Sequence, residues 1–335
     1  MPLITKRQEV LAVYAEAGRN QWVLPCFCTE NLTTTEAILS ATKCHGEAIG
    51  IANLPVIIAM TVQYSHRTQA AHYTHTRHWA TGLRLFLADL AVLTAPGSAF
   101  ADLRVMVHLD HVQFDDDREL LGWDLSPFSS IMFDASKVPF DENIARTKAF
   151  VREQGNNIVI EGACDEIVDA TGTLRSELTT PDHAARYKEE TGVDLIVANL
   201  GTEHRALAKD LCYHGDSARK IKDRVGPHLV LHGASSVPGD QIASLYADGV
   251  CKVNLWTALE RDSSPLLLDD LVRHPARVAG SRMAKSLQQS GLLGPKAAVD
   301  EQASIDYFTT VYRQDIIFNA MKNNVSSYLA IWYKT

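Results

Sequence analysis

Between Trp22 and Leu255, eight short runs rich in apolar and β-branched residues alternate with stretches of helical period, and the first run ends in P-C-F-C-T-E-N with no glycine-rich turn after it. The alternation and the count predict an α/β protein, a closed (β/α)8 TIM barrel with extra C-terminal helices. The missing glycines speak against a doubly wound sheet, which takes a glycine-rich phosphate turn at that point. In order, Trp22 to Phe27 is the first strand, Thr34 to Lys43 a helix, Pro55 to Val62 a strand and Trp79 to Leu93 a helix. Leu103 to Leu109 and Ser130 to Asp134 are strands, and a helix from Phe140 to Gln154 starts after Pro139 with polar residues along one face. Asn157 to Glu161 is a strand, and T-T-P-D at Thr179 to Asp182 caps the next helix. Val193 to Leu200, His228 to Leu231 and Val250 to Leu255 complete the strands, with helical stretches at Ser217 to Arg224 and Gly239 to Asp248. Beyond Asp262 the pattern is helical and ends in an arm from Ile305 to Trp332, so the chain reads as a single barrel domain over 1–335 in which 263–335 is a helical extension.

A chain of 335 residues, 46% hydrophobic and 21% charged, can bury a large core. Its 32 basic and 40 acidic residues give a formal charge of −8, and no basic run would track a phosphate backbone, which excludes nucleic acid as a partner. The first twenty residues mix charge with helical period and lack a signal-peptide core. P-V-I-I-A-M-T-V turns polar after eight residues, too short for a membrane span. The six cysteines form neither a paired-knuckle zinc pattern nor a compact disulfide framework, so the expected setting is the reducing cytoplasm.

Three of the strand-like runs end in histidine: His111 in R-V-M-V-H-L-D-H, His204 in V-A-N-L-G-T-E-H and His232 in L-V-L-H-G-A-S-S. Strand ends of a parallel barrel share one mouth, so residues far apart in sequence converge there. Three imidazoles suit a divalent metal, zinc first, and leave a fourth position open for water or substrate. Asp110 precedes His111; where the strand turns into its loop both can face the mouth, and Asp110 becomes a general acid/base candidate. His108 either lies on the ligand side or packs in the core. A metal hydrolase on the same barrel would show a close His-x-His pair after the first strand, where Cys26 and Cys28 stand.

Five blocks in order resemble the class II, metal-dependent fructose-bisphosphate and tagatose-bisphosphate aldolases: H-L-D-H at His108 to His111, M-F-D-A-S-K-V-P-F-D-E-N-I at Met132 to Ile144, T-G-V-D-L-I-V-A-N-L-G-T-E-H at Thr191 to His204, L-V-L-H-G-A-S-S-V-P at Leu229 to Pro238 and K-V-N-L-W-T at Lys252 to Thr257. The resemblance implies reversible aldol cleavage of a ketose, or a ketose phosphate, through a metal-stabilised enediolate. His111, His204 and His232 would hold the metal, and Asp110 would shuttle the hydroxyl proton. It also implies a glutamate on the loop after strand five; Glu166 fills that role, with Asp165 and Asp169 behind it. A second metal position would use Asp134 and Glu161, though Glu161 also matches a neighbouring glutamate that leaves Ala163 at the ligand place, and Asp134 equally suits a bond to nearby backbone. Gly233, Ser235, Ser236, Asn254 and Thr257 would bind substrate or phosphate on the loops after strands seven and eight. A homodimer or larger homo-oligomer is implied as well.

Departures from the family pattern cluster at the mouth: Trp256 stands where the family carries an aspartate, Arg205 and Ala206 follow the second metal histidine, and C-F-C-T-E-N-L replaces an asparagine-rich stretch. These changes favour an altered ketose; the alternative is a catalytically silent barrel that binds a sugar phosphate in a regulatory role. His72, His75 and His78 read as a solvated or subunit-contact face, and Asp115 to Asp117 as the opening of the next helix.

Overall fold

The protein is described by a computed structural model covering residues 3–167, 177–202 and 212–334. In chain order the elements are α1 (Arg7–Asn20), β1 (Leu24–Cys28), α2 (Leu32–Ile49), β2 (Pro55–Thr61), α3 (Gln69–His72), α4 (Trp79–Leu93), β3 (Arg104–Gln113), α5 (Arg118–Leu121), β4 (Ser130–Asp134), α6 (Phe140–Gln154) and β5 (Val159–Ala163). The second half adds α7 (Pro181–Thr191), β6 (Leu195–Val197), α8 (Gly215–Val225), β7 (Leu229–Leu231), β8 (Val250–Leu255), α9 (Thr257–Arg273), α10 (Pro275–Gln289), α11 (Ile305–Phe308) and α12 (Thr310–Trp332). All eight strands pair in parallel and in sequence order, and β8 pairs back on β1 to close the barrel.

Local chemistry accounts for the element ends. Asn31 begins α2 by accepting from Thr34 N (2.8 Å). Thr180 caps α7 by accepting from His183 N (3.2 Å), with Pro181 in the first turn, where its missing N–H costs nothing. At Gly162 of β5, a Cβ would lie 2.7 Å from the Tyr187 hydroxyl oxygen, so α7 can sit on the strand only because no side chain intervenes.

Several sequence expectations are adjusted. Gly239 to Asp248 is not an α-helix; after Pro238 and Gly239 it holds only a single 3₁₀ turn, Ile242–Ser244. Val193 to Leu200 shortens to β6, whose pairing partners span Leu195–Val197. β3 runs four residues past Leu109, with a consequence for the site. Asp117 precedes α5 but does not cap it: its carboxylate accepts from Gln113 N (2.9 Å) and Gln63 N (3.1 Å), tying the loops after β2 and β3 together.

The two chain ends secure opposite parts of the barrel. Arg7 of α1 makes a two-pronged pair with Asp194 (2.6 Å each) and donates to Ile158 O (3.0 Å), closing the end away from the strand C-termini. α12 packs against α2 and α9; Trp332 Nε1 donates to Ile242 O (3.2 Å), and Tyr333 donates to Pro55 O (2.5 Å) with its ring edge-on to Trp22. Leu329 is fully buried in that seam. Leu329→Ala is expected to cost about 2–5 kcal/mol, read as a lower urea midpoint with the slope unchanged.

Candidate metal centre and substrate pocket

Strict strand alternation would send Asp110 and His111 to opposite faces of β3. Instead His111 has a φ of 46°, and the register with β4 shifts between Leu109 and Val112. This bulge brings both side chains to the mouth, inside a strand that was expected to have ended. Left-handed backbone at a histidine costs roughly 1–3 kcal/mol. A bond to β4 offsets it: His111 Nδ1 lies 3.1 Å from Asp134 Oδ2, and an ionised carboxylate can only accept, so Nδ1 carries the proton and Nε2 is the atom available to a metal. Asp134 Oδ1 accepts from Ser136 N (3.0 Å) and Ser136 Oγ (2.6 Å). Burial alone would raise Asp134, but His111 and Ser136 hold it down to about 2.

His232, at the end of β7, sets its ring edge-on to that of His111 with centroids 4.7 Å apart. One donor atom from each of Asp110, His111 and His232 lies within 4.8 Å of the others, and all three residues are buried. Asp110 Oδ1 accepts from Asn254 Nδ2 (2.8 Å), and the Cys28 thiol lies 3.4 Å from Oδ2. Burial opposes ionisation of Asp110, yet His111, His108 and His232 keep it well below the usual carboxylate range. His111 is shifted upward against the effect of burial by Asp110 and Asp134. Imidazoles facing carboxylates in a water-poor pocket make a donor set that favours a divalent cation, so these residues fit a metal.

Beneath this cluster the barrel interior is polar. His108 Nδ1 lies 2.8 Å from Ser130 Oγ, and His108 Nε2 lies 3.6 Å from Glu161 Oε2. Lys252 Nζ is 2.6 Å from Glu161 Oε1, both side chains fully buried. Burial would strip the proton from Lys252; Cys26, Glu161 and Asp110 more than reverse this, so a paired ammonium sits under the mouth.

The cavity above Asp110, His111 and His232 is walled by Gly233 to Ser235 after β7, by Asn254 to Ala258 at the end of β8 and the start of α9, and by Tyr64, His66 and Arg67 after β2. Tyr64 stacks on His111, centroids 4.2 Å apart and planes within 4°. A second, smaller hollow continues past His111 and Asp134 to Asp165 and Glu166.

A closed parallel barrel of eight strands that gathers two histidines and an acid at its strand-end mouth is a TIM barrel with a candidate metal site. The profile of the family described as "Fructose-bisphosphate aldolase class-II" matches residues 8–290, and the chain belongs to that family. It is similar to a fructose-bisphosphate aldolase of Giardia intestinalis, 31% identical over 208 residues, an alignment spanning 52% of this chain and 62% of that relative's length. Another from Streptococcus pyogenes is 29% identical over 247 residues, 72% of this chain and 75% of the relative. Among solved structures, the YdjI aldolase of Escherichia coli K12 superposes with a TM-score of 0.60 at 18% identity, over 95% of this chain and 94% of that one. Fructose-bisphosphate aldolase of Campylobacter jejuni gives 0.67 at 19% identity, over 98% and 94%. These two similarities concern the fold.

The site residues read from sequence fall into groups. Asp110, His111, His232, Gly233, Ser235, Asn254 and Thr257 surround one cavity. Ser236 is buried, and its hydroxyl donates to Gly233 O (2.7 Å), bracing the turn. Glu166 lines the adjoining hollow, where its main chain is tied to Asn199. Asp134 buttresses His111, while Glu161 is committed to Lys252 below. His204 and Asp169 lie outside the described residues. Sequence reading passed over Tyr64, Arg67 and Lys252. The barrel rule offered the first two, since V-Q-Y-S-H-R follows β2, and alternation from Asn254 offered the third.

Asp134→Asn is expected to weaken divalent-metal binding by roughly 10–100-fold in chelator competition, because the partner orienting His111 loses its charge. A pH effect arises at Glu260 of α9, pushed up to about 7 by burial, then by Glu30, with Arg67 opposing. The folded state prefers protonated Glu260, so this contribution to stability is full below the ordinary glutamate pKa and is lost as pH rises through about 7. Glu260→Gln should therefore flatten the fall in urea midpoint between about pH 5 and pH 8.

Proposed function

We propose that this protein is a lyase that reversibly cleaves a ketose phosphate by retro-aldol chemistry with a divalent metal, zinc being the ion its donors suit best. The observation that carries the reading is the ionised Asp110, held by Asn254, beside His111 and His232 in a member of the class II aldolase family. His111, His232 and His204 are the proposed metal ligands. When bound, the ion would supply Lewis-acid stabilisation of the negative charge that develops on the ketone-side fragment.

The remaining steps belong to the chain's own residues. Asp110 accepts the proton of the hydroxyl on the carbon that becomes the aldehyde, the carbon–carbon bond breaks, and its electron pair stays with the ketone-side carbon as an enediolate. Asn254 keeps Asp110 aimed by bonding Oδ1, while Oδ2, against which the weak-donor thiol of Cys28 lies, is the proposed acceptor of the substrate proton. Glu166, facing the same mouth from the loop after β5, is the proposed donor of the proton that carbon then takes up. Glu161 is proposed as a floor residue that keeps Lys252 charged under Asp110, and Asp134 as the orienting partner of His111; a second metal position at the pair is a weaker use of carboxylates already engaged. Gly233, Ser235, Ser236 and Thr257 would shape the substrate end of the pocket.

Two wider readings accompany this one. Residues 263–335 are proposed to serve as a helical extension of a single barrel domain; exposed Leu266, Leu268, Leu292, Ile305 and Phe308 along it support a homo-oligomer. Among the described residues no helix is long and apolar enough to cross a membrane, and the six unpaired cysteines support a cytoplasmic setting.

Elemental analysis of purified protein should find about one divalent ion per chain, lost in His232→Ala and on chelation, and restored to the wild type by added zinc. Asp110→Asn should lower turnover of the ketose phosphate about 10²–10⁴-fold. Undiminished turnover in a folded, metal-loaded Asp110→Asn protein would sink the acid/base assignment. Absence of substrate-dependent proton exchange at the donor carbon across ketose phosphates would leave the silent, sugar-phosphate-binding barrel as the better reading.

A further inference from the structure

The loop after β2 is clasped at both ends. Thr61 N donates to Gln69 Oε1 (2.9 Å), Thr61 Oγ1 donates to Arg67 O (2.5 Å), and Gln69 N donates to Thr61 Oγ1 (3.2 Å). The clasp sets Arg67 on the wall of the cavity that holds Asp110, His111 and His232, and among the described residues lining it Arg67 is the one lysine or arginine. Its guanidinium is pinned twice. Nε and Nη2 donate to Glu30 Oε2 (2.7 Å) and Oε1 (2.5 Å), and the group lies 5.4 Å from the centre of the Trp256 ring. Glu30 takes two of the five N–H donors, both from one edge of the fork, so the edge formed by Nη1 and the second Nη2 hydrogen is outside that pairing.

Holding an arginine in this way removes in advance the side-chain entropy that anion binding would otherwise cost. A planar fork suits the two oxygens of a phosphate or carboxylate. The rest of the wall adds to this: Gly233 to Ser235 turn there, and α9 starts after Trp256 without a side-chain cap, so first-turn amides have no helical acceptor. The opposing charges are Glu30, already paired, Glu260, whose burial raises its proton affinity and reduces its charge near neutrality, and the ionised Asp110, which faces His111 and His232 on the same cavity.

We propose that Arg67 is the specificity-determining residue of this pocket, binding an anionic group of the ketose, a phosphate or a carboxylate, through its remaining edge while Glu30 and Trp256 hold the guanidinium in place. The proposal rests on the aldolase reading only for the identity of the molecule that carries the anion.

The test uses metal-loaded full-length protein in wild-type, Arg67→Leu and Arg67→Lys forms. Calorimetry with inorganic phosphate and with acetate reads binding; solvent-proton exchange into dihydroxyacetone phosphate and into dihydroxyacetone reads KM and kcat. Arg67→Leu is expected to bind phosphate roughly 10–100-fold more weakly, the worth of a charge-assisted bond. The preference for the phosphorylated over the uncharged probe should fall by a similar factor, through KM. Arg67→Lys, which keeps the charge but not the fork, should fall between the two. A loss confined to acetate assigns the edge to a carboxylate instead of a phosphate. Phosphate and acetate affinities equal in all three proteins, or a loss in kcat alone, would overturn the proposal; if Arg67→Leu does not fold, wild-type behaviour of Arg67→Lys overturns it. Arg67-dependent anion binding without exchange on either probe or across other ketose phosphates would retire the aldolase reading and leave the anchor standing. Exchange with Arg67-independent binding would do the reverse.

Discussion

The bond from His111 to Asp134 is the constraint on which the mouth depends. Without the left-handed step at His111, β3 would keep its alternation, and one of two adjacent side chains would turn into the helix layer. The imidazole and Asp110 face the same cavity because β3 carries one residue more than β4 can match at that point. A charge-assisted hydrogen bond of about 1.5–3 kcal/mol is of the size needed to hold that backbone. The same bond settles which ring nitrogen carries the proton, so geometry and ligand chemistry come from one contact.

Beneath that contact the protein keeps charge where a barrel usually packs aliphatic side chains. Glu161 and Lys252 reach across the interior from β5 and β8, with His108 and Ser130 beside them. A buried pair of this kind seldom adds stability over a hydrophobic replacement, but losing one member leaves the other uncompensated. Its position below Asp110 gives it an electrostatic role: a fixed cation under the mouth helps an acid stay ionised despite burial. The wall above is built from other material. Tyr64 and Arg67, offered by one clasped loop, cover His111 and Trp256, so the candidate metal donors among the described residues come from strand ends and the proposed selectivity from a loop.

Much of this was legible in the chain because the relevant periodicities are local. β4, β8, α4 and α6 were read with their observed bounds, each being an uninterrupted run with a clear start such as Pro139. Boundaries moved where the deciding force is not local. β6 is short because pairing with β5 and β7 ends at Val197, and Gly239 to Asp248 has helical composition but follows a proline–glycine turn. The end of β3 was misplaced because a bulge is a mismatch between two strands, invisible in either one alone. Arg67 went unnoticed for a similar reason: its partners Glu30 and Trp256 belong to loops that are distant in sequence.

By itself the sequence determined the class of fold, the order of its strands and the kind of donor at their ends, since hydrophobic period, turn residues and residue type are properties of short segments. Which donors share a cavity, which carboxylate holds an imidazole and which only balances a lysine were decided by the closed barrel. Closure brings β1, β3, β5, β7 and β8 round to one mouth, and register, measured across strands, sets where each side chain points.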